Sequence, residues 1–394
     1  MTRIIGTIAT GIRLPIVKEG DDLVKIITES FLAAKKDQNF EINNKDILGI
    51  TESLLARTQG NYCLLDDVTI DLNNKYSDEI SIVHPILSRN RFYSILKAVA
   101  KTGKKVKIFL SYPADEVGNL LMDRYEILRK NVNIYKDTLT EDDYIKILGE
   151  KYLHPFTGMD YTKLYKDAFE KGQVEILYSN NLDDIANKSK SILIANIHDR
   201  EYFKEFFINK GLKEVYSLAD IMNKPINNSG YNPKYGLYGS NMATDDRVKL
   251  FPKDTIEFVN KVQEAIKNET GKKIEVLIYG DGAFKDPVGR IWEFADPVVS
   301  PGYTDGLEGR PNELKLKYLA DNEFADLSGD EALKSMKDKI KEKGNETKDN
   351  AKLGTTPRQI TDLVGSLCDL MSGSGDKGTP VIYIQGYFDN LASE

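Results

Sequence analysis

The spacing of apolar residues near the N-terminus predicts a strand, a helix and a second strand. Ile4–Thr10 has the composition of a first strand, and the Pro, Gly and Asp residues that follow it are typical of a loop. A helix capped by Asp21 or Asp22 then carries apolar residues at helical spacing up to Leu32. Asp46–Thr51 is a short apolar run, which is typical of a buried strand. This segment therefore begins an alternation of strands and helices.

The next stretch of chain gives two predictions about local structure. Glu52–Gly60 predicts a helical turn at the edge of a cleft. Tyr62–Asp71 alternates apolar and polar residues, and this alternation predicts another strand. In that strand we expect Asp66 and Asp67 to be exposed at the centre.

From Ser81 onwards the apolar pattern predicts repeated strands and helices, which indicates a distinct central module. Its strand candidates are Val106–Tyr112, Val174–Tyr178 and Ser191–Ile197. A chain of 394 residues is expected to form two or three domains. We predict an α/β (α+β) protein with mixed sheets. Its core domain is expected to be formed by the N-terminal and C-terminal parts of the chain together, with the central αβ module as an addition to that core. The predicted boundaries are 1–95 and 231–394 for the two parts of the core and 96–230 for the central module.

The C-terminal part of the chain returns to the same pattern. A helix over Asp254–Lys267 leads into a buried strand that begins at Ile274, and a final helix over Pro357–Met371 precedes a strand that begins at Val381. Leu327–Lys352 is highly charged and offers no clear apolar face. It predicts either a solvent-exposed helix or a mobile excursion.

Composition narrows the possible partners and location. The chain has 54 basic and 61 acidic residues and a formal net charge of −7, which argues against binding to nucleic acid. It has only two cysteines, so neither a disulfide framework nor a zinc cluster is expected. Neither a signal peptide nor an apolar run long enough for a membrane helix is present in the sequence. We expect a soluble, cytoplasmic protein without membrane contact.

The first candidate for chemistry follows the strand that begins at Ile274. This strand stops at a Gly-Asp-Gly turn that contains Asp281, and Asp286 lies five residues further on, before Arg290. Two carboxylates and a guanidinium at this spacing could converge on a metal-bound phosphate. The alternative is an ordinary turn whose acidic residues face water.

A glycine-rich loop near the C-terminus is the second candidate. Its glycines would let backbone N–H groups approach phosphate oxygens, and Lys377 would add a positive charge. The loop follows a helix and precedes a strand, which is the reverse of the Walker order, so a helix-ending turn is the alternative. The loop consists of Met371, Ser372, Gly373, Ser374, Gly375, Asp376, Lys377 and Gly378.

Histidines and arginines in the predicted loops are further candidates for ligand contacts. His84, His154 and His198 each lie beside a proline or an acidic residue, but histidines in such places are more often satisfied by local backbone groups. Arg89 and Arg91 are better suited to hold a carboxylate or a phosphate, because a planar guanidinium matches both groups.

Four segments of the sequence resemble coenzyme F420-0:γ-glutamyl ligase and its relatives. They are Arg13–Leu23, Asn43–Gly60, Asp286–Trp292 and Thr356–Gly386, whereas the centre from about 95 to 230 matches poorly. The resemblance implies a two-domain αβ fold that forms an intertwined homodimer. It also implies a GTP-dependent ligase that adds L-glutamate to a carboxylate-bearing acceptor, assisted by Mg²⁺ or Mn²⁺ and by K⁺. The alternatives are a folate or another pterin-like acceptor, or a non-catalytic regulator that binds the nucleotide.

The resemblance also assigns roles to particular residues. It implies nucleotide contacts at Arg13, Leu14, Pro15 and Ile16, at Thr51 and Glu52, at Arg57, at Asn241, and at the glycine-rich loop Met371–Gly378.

The metal site of the family is matched less completely. The family's first metal aspartate corresponds to Tyr238 in this sequence, so a substitute ligand is needed, with Asp245 or Asp246 as the candidates. The second metal aspartate corresponds to either Asp281 or Asp286.

Overall fold

We describe the computed structural model of the chain over residues 4–149, 153–154, 157–280, 283–285, 292–294, 300–343, 358–372 and 376–393. The strands are β1 (Ile8–Ile12), β2 (Ile47–Thr51), β3 (Tyr62–Leu64), β4 (Glu79–Val83), β5 (Lys105–Leu110), β6 (Leu139–Thr140), β7 (Val174–Tyr178), β8 (Ser191–Ile194), β9 (Glu214–Ser217), β10 (Asn241–Thr244), β11 (Arg247–Lys249), β12 (Glu275–Tyr279), β13 (Ala283–Lys285), β14 (Trp292–Phe294), β15 (Gly302–Tyr303) and β16 (Val381–Gln385). The helices are α1 (Leu23–Gln38), α2 (Glu52–Thr58), α3 (Leu65–Lys75), α4 (Phe92–Ala100), α5 (Arg124–Arg129), α6 (Glu141–Leu148), α7 (Tyr161–Lys166), α8 (Leu182–Lys188), α9 (Arg200–Asn209), α10 (Thr255–Thr270), α11 (Leu316–Asp321), α12 (Gly329–Glu342) and α13 (Ile360–Ser372).

The two ends of the chain meet in a five-stranded sheet with the order β1-β16-β2-β12-β15. β2 and β12 are parallel, whereas β16 runs antiparallel to both of its neighbours, β1 and β2. Apolar residues of α1 and α10 cover one face of this sheet, and those of α13 cover the other. The close approach of α13 requires a glycine at position 49, because a Cβ atom there would clash with the sulfur of Cys368.

The central part of the chain forms a six-stranded sheet with the order β6-β7-β5-β4-β8-β9. β7, β5, β4, β8 and β9 are all parallel, and β6 is an antiparallel strand at one edge. Hydrophobic clusters lie on both faces, as expected for a parallel sheet covered by helices. The predicted α/β (α+β) class with mixed sheets is thus confirmed, and the central part forms a sheet of its own. The division at 95 and 230 stays a prediction, while the strands of this sheet extend from Glu79 to Ser217.

A small three-stranded sheet, β10-β11-β3, completes the part of the architecture that matters for the site. β11 pairs with both neighbours in antiparallel register, so that Lys249 faces Asn241 on one side and Tyr62 on the other. Met242 of β10 donates its backbone N–H to the carbonyl of Asn90, in the loop that follows β4, at 2.8 Å. The small sheet therefore contacts the central module.

The prediction of a strand over Tyr62–Asp71 was wrong after its third residue. The chain forms β3 and then turns into α3, because Leu65, Val68 and Leu72 recur at helical spacing and all three are buried. Asp66 is exposed, as expected, but Asp67 is buried and accepts hydrogen bonds from the side chains of Asn227 and Ser229. These partners are distant in sequence, so a local pattern does not reveal them.

Other predicted elements are confirmed with shifted ends. The helix after the first loop is α1, and its N-cap is Asp22, whose carboxylate accepts a hydrogen bond from the backbone of Lys25 at 3.1 Å. Within Leu327–Lys352 the described residues contain the helix α12, of which Ile340 is buried. The exposed helix is therefore the better of the two interpretations for residues 329–342.

Candidate functional site

The candidate site lies at one end of the strands of the five-stranded sheet. Three strands end there, β1, β2 and β12, and β16 begins there. The row of paired residues that crosses the sheet there consists of Ile12, Val381, Ile50 and Ile278. Because neighbouring strands lie about 4.8 Å apart, this row is about 14 Å wide. We call this end of the strands the Thr51 edge, after the residue that follows Ile50. The chain leaves three strands and enters a fourth here, so residues far apart in sequence can contact one ligand.

The loop from Arg13 to Ile16 leaves the Thr51 edge directly after β1. Arg13 and Pro15 are exposed, and Leu14 is partly buried. Ile16 is 84% exposed, which is unusual for a large apolar residue. This loop therefore offers a cation and an uncovered apolar surface beside the edge.

The chain that leads into β16 is fastened to the same edge. The backbone N–H of Thr51 donates to the carbonyl of Pro380 at 3.0 Å, and the hydroxyl of Thr379 donates to the carbonyl of Ser372 at 3.0 Å. Residues 376–378, which precede this anchor, are exposed. Gly378 has φ +65°, a conformation that glycine adopts without strain. The described part of the glycine-rich loop thus presents its backbone and Lys377 to solvent next to the Thr51 edge.

Glu52, the first residue of α2, forms a buried ion pair beside the Thr51 edge. Its Oε1 lies 2.6 Å from Nζ of Lys249, and both side chains are only 11% exposed. The second oxygen, Oε2, is buried and has no hydrogen-bond partner among the described residues. A buried carboxylate oxygen without a partner costs free energy, so this atom is a candidate for contact with a ligand.

The sequence did not identify Lys249 as a functional residue. The available signal was a lone lysine between Val248 and Leu250, both of which are buried. A cation flanked by buried apolar residues is rare unless it is paired. Its partner Glu52 lies 197 residues away, so no local pattern could have named the pair.

Asn241, Arg57 and Asp245 lie at different distances from this pair. Asn241 is the strand partner of Lys249, the residue whose ammonium group pairs with Glu52. Arg57 is exposed near the end of α2. Asp245 is exposed in the turn at the opposite end of the β10–β11 hairpin. The structure thus brings Asn241 towards the Thr51 edge and places Asp245 about 10 Å further along the hairpin.

Tyr238, at the position of the family's metal aspartate, is part of the protein core. It is 3% exposed, and its hydroxyl donates to the carbonyls of Ile194 and Asn196 at 3.2 and 2.8 Å. Burial also raises the pKa of this hydroxyl, so it stays protonated. Tyr238 therefore secures the end of β8 and does not replace a metal ligand.

Several predicted site residues lie outside the described residues. They are Asp281, Asp286, Arg290, Gly373, Ser374 and Gly375. Gly280, which precedes Asp281 in the chain, is buried at the end of β12. Among the described residues no group of three metal-ligating side chains occurs. The donor that does suit a divalent cation is Oε2 of Glu52, because it is a hard oxygen atom without a partner.

The three histidines differ in their surroundings. His84 is buried, its Nε2 lies 2.7 Å from the carbonyl of Ser179, and burial lowers its pKa. His154 is buried, and its Nδ1 accepts a hydrogen bond from the backbone of Thr157 at 3.1 Å. His198 is different, because its side chain is 45% exposed and is paired with Glu116.

A family model described as F420-0:gamma-glutamyl ligase matches residues 11–386. The chain belongs to this family. A search among curated proteins found no match. The match confirms the resemblance and includes the central part of the chain, from about 95 to 230, where the motifs of the family are hard to recognise.

Membership in the F420-0:gamma-glutamyl ligase family indicates an enzyme that joins an amino acid to a small-molecule substrate. The structure agrees with the assignment in one respect, since the segments that carry the resemblance at Arg13, Thr51 and Lys377 converge on the Thr51 edge. The individual roles of these residues stay predictions. No helix in the described part of the chain is long and apolar enough to cross a membrane.

Proposed function

We propose that this member of the F420-0:gamma-glutamyl ligase family uses GTP to attach L-glutamate to a carboxylate-bearing acceptor of the coenzyme F420-0 type. The observation that carries the proposal is the convergence of distant segments on the Thr51 edge, next to the buried pair of Glu52 and Lys249. Such an arrangement suits a triphosphate, which needs cations and backbone N–H groups from several directions.

The chemistry that we propose has two steps. A carboxylate oxygen of the acceptor attacks the γ-phosphorus of GTP, the bond from that phosphorus to the β–γ bridging oxygen breaks, and GDP leaves with the bond's electrons. The resulting acyl phosphate is then attacked at its carbonyl carbon by the amine of glutamate. Phosphate leaves, the amine loses a proton to solvent, and an amide bond remains. No covalent bond to the protein is needed.

The protein's own residues would bind and orient the reactants. Lys377 and the backbone around Gly378 would contact the phosphates, and Arg13 would add a second cation. Lys249 is positioned by its strand and by Glu52, so its ammonium group is fixed before the nucleotide arrives. Fixed charges stabilise a transition state without the cost of reorganisation.

A divalent cation, Mg²⁺ or Mn²⁺, is part of this proposal. When bound, it would neutralise charge on the triphosphate during phosphoryl transfer. Oε2 of Glu52 fits such an ion, and Asp281 and Asp286 are the predicted further ligands. K⁺ and a homodimeric state are also proposed from the family resemblance.

The test is a reaction of the purified protein with GTP, L-glutamate, Mg²⁺ or Mn²⁺ and coenzyme F420-0. We expect release of GDP coupled to a mass increase of one glutamyl unit in the acceptor, measured by mass spectrometry. A reaction without glutamate is the control for uncoupled hydrolysis. Folate in place of the deazaflavin acceptor tests the pterin alternative. Tight GTP binding without turnover on either acceptor contradicts the proposal and supports a regulator.

A further inference from the structure

The central sheet has the strand order of a doubly wound fold. Its chain begins in the middle at β4, proceeds outward through β5 and β7, and then returns to the other side of β4 for β8 and β9. The order reverses between β4 and β8. In open parallel sheets, ligands bind in the crevice outside the carboxyl ends of the strands at such a reversal. We call this position the β4–β8 crevice, and it is formed by residues 84–91 and 195–199.

A carboxylate from a third strand end shapes one wall of the β4–β8 crevice. Glu116, which follows β5, is only 10% exposed and accepts hydrogen bonds from the backbone N–H groups of Ile197 and His198 at 2.8 and 3.0 Å. Its Oε2 also lies 2.7 Å from Nδ1 of His198. The carboxylate therefore fixes both the loop and the orientation of the imidazole ring.

His198 is a preoriented and accessible imidazole. The hydrogen bond with Glu116 is the largest cause that raises the pKa of His198, and partial burial opposes it. The charges of Glu116 and Asp199 raise this pKa further, while Arg200 lowers it. Its side chain is 45% exposed, and within the described residues its Nε2 has no hydrogen-bond partner. A ring whose Nδ1 is held by a carboxylate presents its Nε2 to a ligand in a defined direction.

Two arginines and two helix starts lie at the same place, together with the exposed carboxylate of Asp199 and with Glu201, whose Oε1 is 3.6 Å from Nε of Arg200. The Arg200 guanidinium donates to the carbonyl of Ile197 at 2.6 Å and lies 5.4 Å from the ring centre of Tyr238. Arg89 is exposed in the loop after β4. The helices α4 and α9 both begin at the crevice, and neither has a side-chain hydrogen bond at its N-cap. At α4 the backbone N–H of Tyr93 is bonded to the carbonyl of Ser88 at 3.1 Å, so the remaining N–H groups of the two first turns are those that can favour an anion.

The β10–β11 hairpin connects the β4–β8 crevice to the Thr51 edge. Met242 donates its backbone N–H to Asn90, the neighbour of Arg89. Asn241, the residue before Met242, pairs with Lys249, which binds Glu52. One short hairpin therefore contacts the crevice loop and the proposed nucleotide site. An acceptor with a second anionic group could reach both places.

We propose that the β4–β8 crevice binds an anionic group of the acceptor, a phosphate or a carboxylate, with His198 and Arg89 as its contacts. The identification of the ligand as the acceptor rests on the proposed ligase function, whereas the anion site itself does not. The Thr51 edge would then hold the nucleotide, and the central module would select the acceptor by its charge.

The chain has only three histidines, which makes the site directly observable. Protein labelled with ¹³C at histidine Cε1 is titrated with inorganic phosphate and, separately, with glutarate, and the His198 signal is followed by NMR. The His198→Gln variant assigns this signal. We expect a saturable shift of the His198 signal alone, together with a rise in its titration midpoint. A larger response to phosphate than to glutarate, or the reverse, identifies the preferred anion.

Variants distinguish a specific anion site from non-specific electrostatic attraction. Arg89→Gln should weaken anion binding about fivefold or more, because it removes a charge-assisted hydrogen bond. Glu116→Gln should lower the titration midpoint of His198 and weaken binding as well. The matched control is Lys190→Gln, which removes one exposed positive charge just before β8, at the opposite end of the same sheet. This control should leave binding unchanged.

Two results would contradict the proposed anion site. One is a His198 signal that does not shift with either anion, and the other is an equal anion affinity in Arg89→Gln and Lys190→Gln. The ligase assay provides a second and separate measurement. If the enzyme is active, Arg89→Gln should raise the KM for the acceptor and leave the KM for GTP unchanged. If the enzyme shows no turnover but His198 still binds anions, the ligase proposal fails and the anion site stands. Turnover with an unchanged acceptor KM contradicts the assignment of the acceptor to this crevice.

Discussion

Two pairs of glutamate and lysine in this protein are similar in residue type but differ in burial and in their surroundings. The side chains of Glu52 and Lys249 are each 11% exposed, whereas Lys107 of the second pair is 27% exposed. In the central sheet, Oε2 of Glu79 lies 3.5 Å from Nζ of Lys107, and Oε1 accepts the backbone N–H of Lys190 at 2.7 Å. Both oxygens of Glu79 are therefore satisfied. At the Thr51 edge, Glu52 binds Lys249 through Oε1 alone, and its Oε2 has no partner among the described residues.

The difference indicates which pair is structural and which is suited to binding. Leaving a carboxylate oxygen buried without a partner costs free energy that a purely structural pair does not need to incur. The incomplete pair also lies at the edge where segments of the family resemblance converge, whereas the complete pair lies at the amino end of a parallel sheet. A ligand or a metal ion at the Thr51 edge would provide the missing partner of Oε2 of Glu52. The comparison therefore predicts different consequences when each pair is disrupted.

The largest expected effect is that of removing one partner from the incomplete pair. Lys249→Met should lower the free energy of unfolding by about 3 to 5 kcal/mol, because it leaves a buried carboxylate without a cation. Replacing both residues, as in Glu52→Leu/Lys249→Met, should restore most of that stability. Ligase turnover should be lost in both variants. Chemical denaturation and the glutamyl-transfer assay measure the two quantities.

Lys107→Met is the matched control for this experiment. Glu79 keeps its hydrogen bond from Lys190 and can reach solvent, so we expect a loss below about 1.5 kcal/mol. Turnover in this variant should be unchanged. If the two single variants are equally destabilised and equally active, the Thr51 edge and the central sheet do not differ in the way we propose.

A buried carboxylate that has no cationic partner among the described residues, Asp115, provides a second test of how burial affects a carboxylate. Asp115 accepts hydrogen bonds from Leu87, Val117 and Asn119, with donor distances of 2.8 to 3.1 Å. Burial nevertheless raises its pKa from 3.8 to about 6. The folded protein therefore holds a proton on Asp115 at a pH where the unfolded chain has released it.

The stability that Asp115 contributes should be lost as the pH rises from about 4 to about 6. A shift of this size corresponds to about 3 kcal/mol between the two ends of that window. In Asp115→Asn this loss of about 3 kcal/mol in unfolding free energy between pH 4 and pH 6 should be absent, because asparagine does not titrate. Urea denaturation at pH 4, 5, 6 and 7 measures the difference between the two proteins. Parallel curves would show that Asp115 ionises normally in the folded state.

The sequence predicted much of this fold because most strands are short apolar runs between clear helix signals. Val174–Tyr178 was predicted with both of its ends correct, since a buried parallel strand carries apolar residues on both faces. Tyr62–Asp71 was misassigned, because alternation over a few residues fits both an edge strand and an amphipathic helix. Asp67 became buried through partners in residues 227–229, which are distant in sequence.

The site was predictable only in part, for a related reason. Glycines and charged residues marked the loops at Arg13 and Lys377, but their meeting at one edge depends on β16 pairing with β1 and β2. That pairing joins residues more than 300 positions apart, and no local pattern encodes it. Lys249 was missed, and Arg89 and His198 were named only as separate candidates, because the partners of Lys249 and His198 are distant in sequence. Only the family resemblance predicted that the segments around Arg13, Thr51 and Lys377 act together, because hydrophobic periodicity gives no information on such distant contacts.

The smallest expected effect concerns the exposed lysine of the glycine-rich loop. Lys377→Ala should weaken GTP binding by about 1 to 3 kcal/mol, if its ammonium group contacts a phosphate. Stability should not change, because the side chain is exposed. Lys272→Ala is the matched control, since Lys272 is exposed and precedes β12 at the end of the sheet opposite the Thr51 edge. Calorimetric titration with GTP compares the two variants. If Lys377→Ala and Lys272→Ala bind GTP with equal affinity, the triphosphate does not contact this loop. Oε2 of Glu52 would then be the atom that still indicates a nucleotide site at the Thr51 edge.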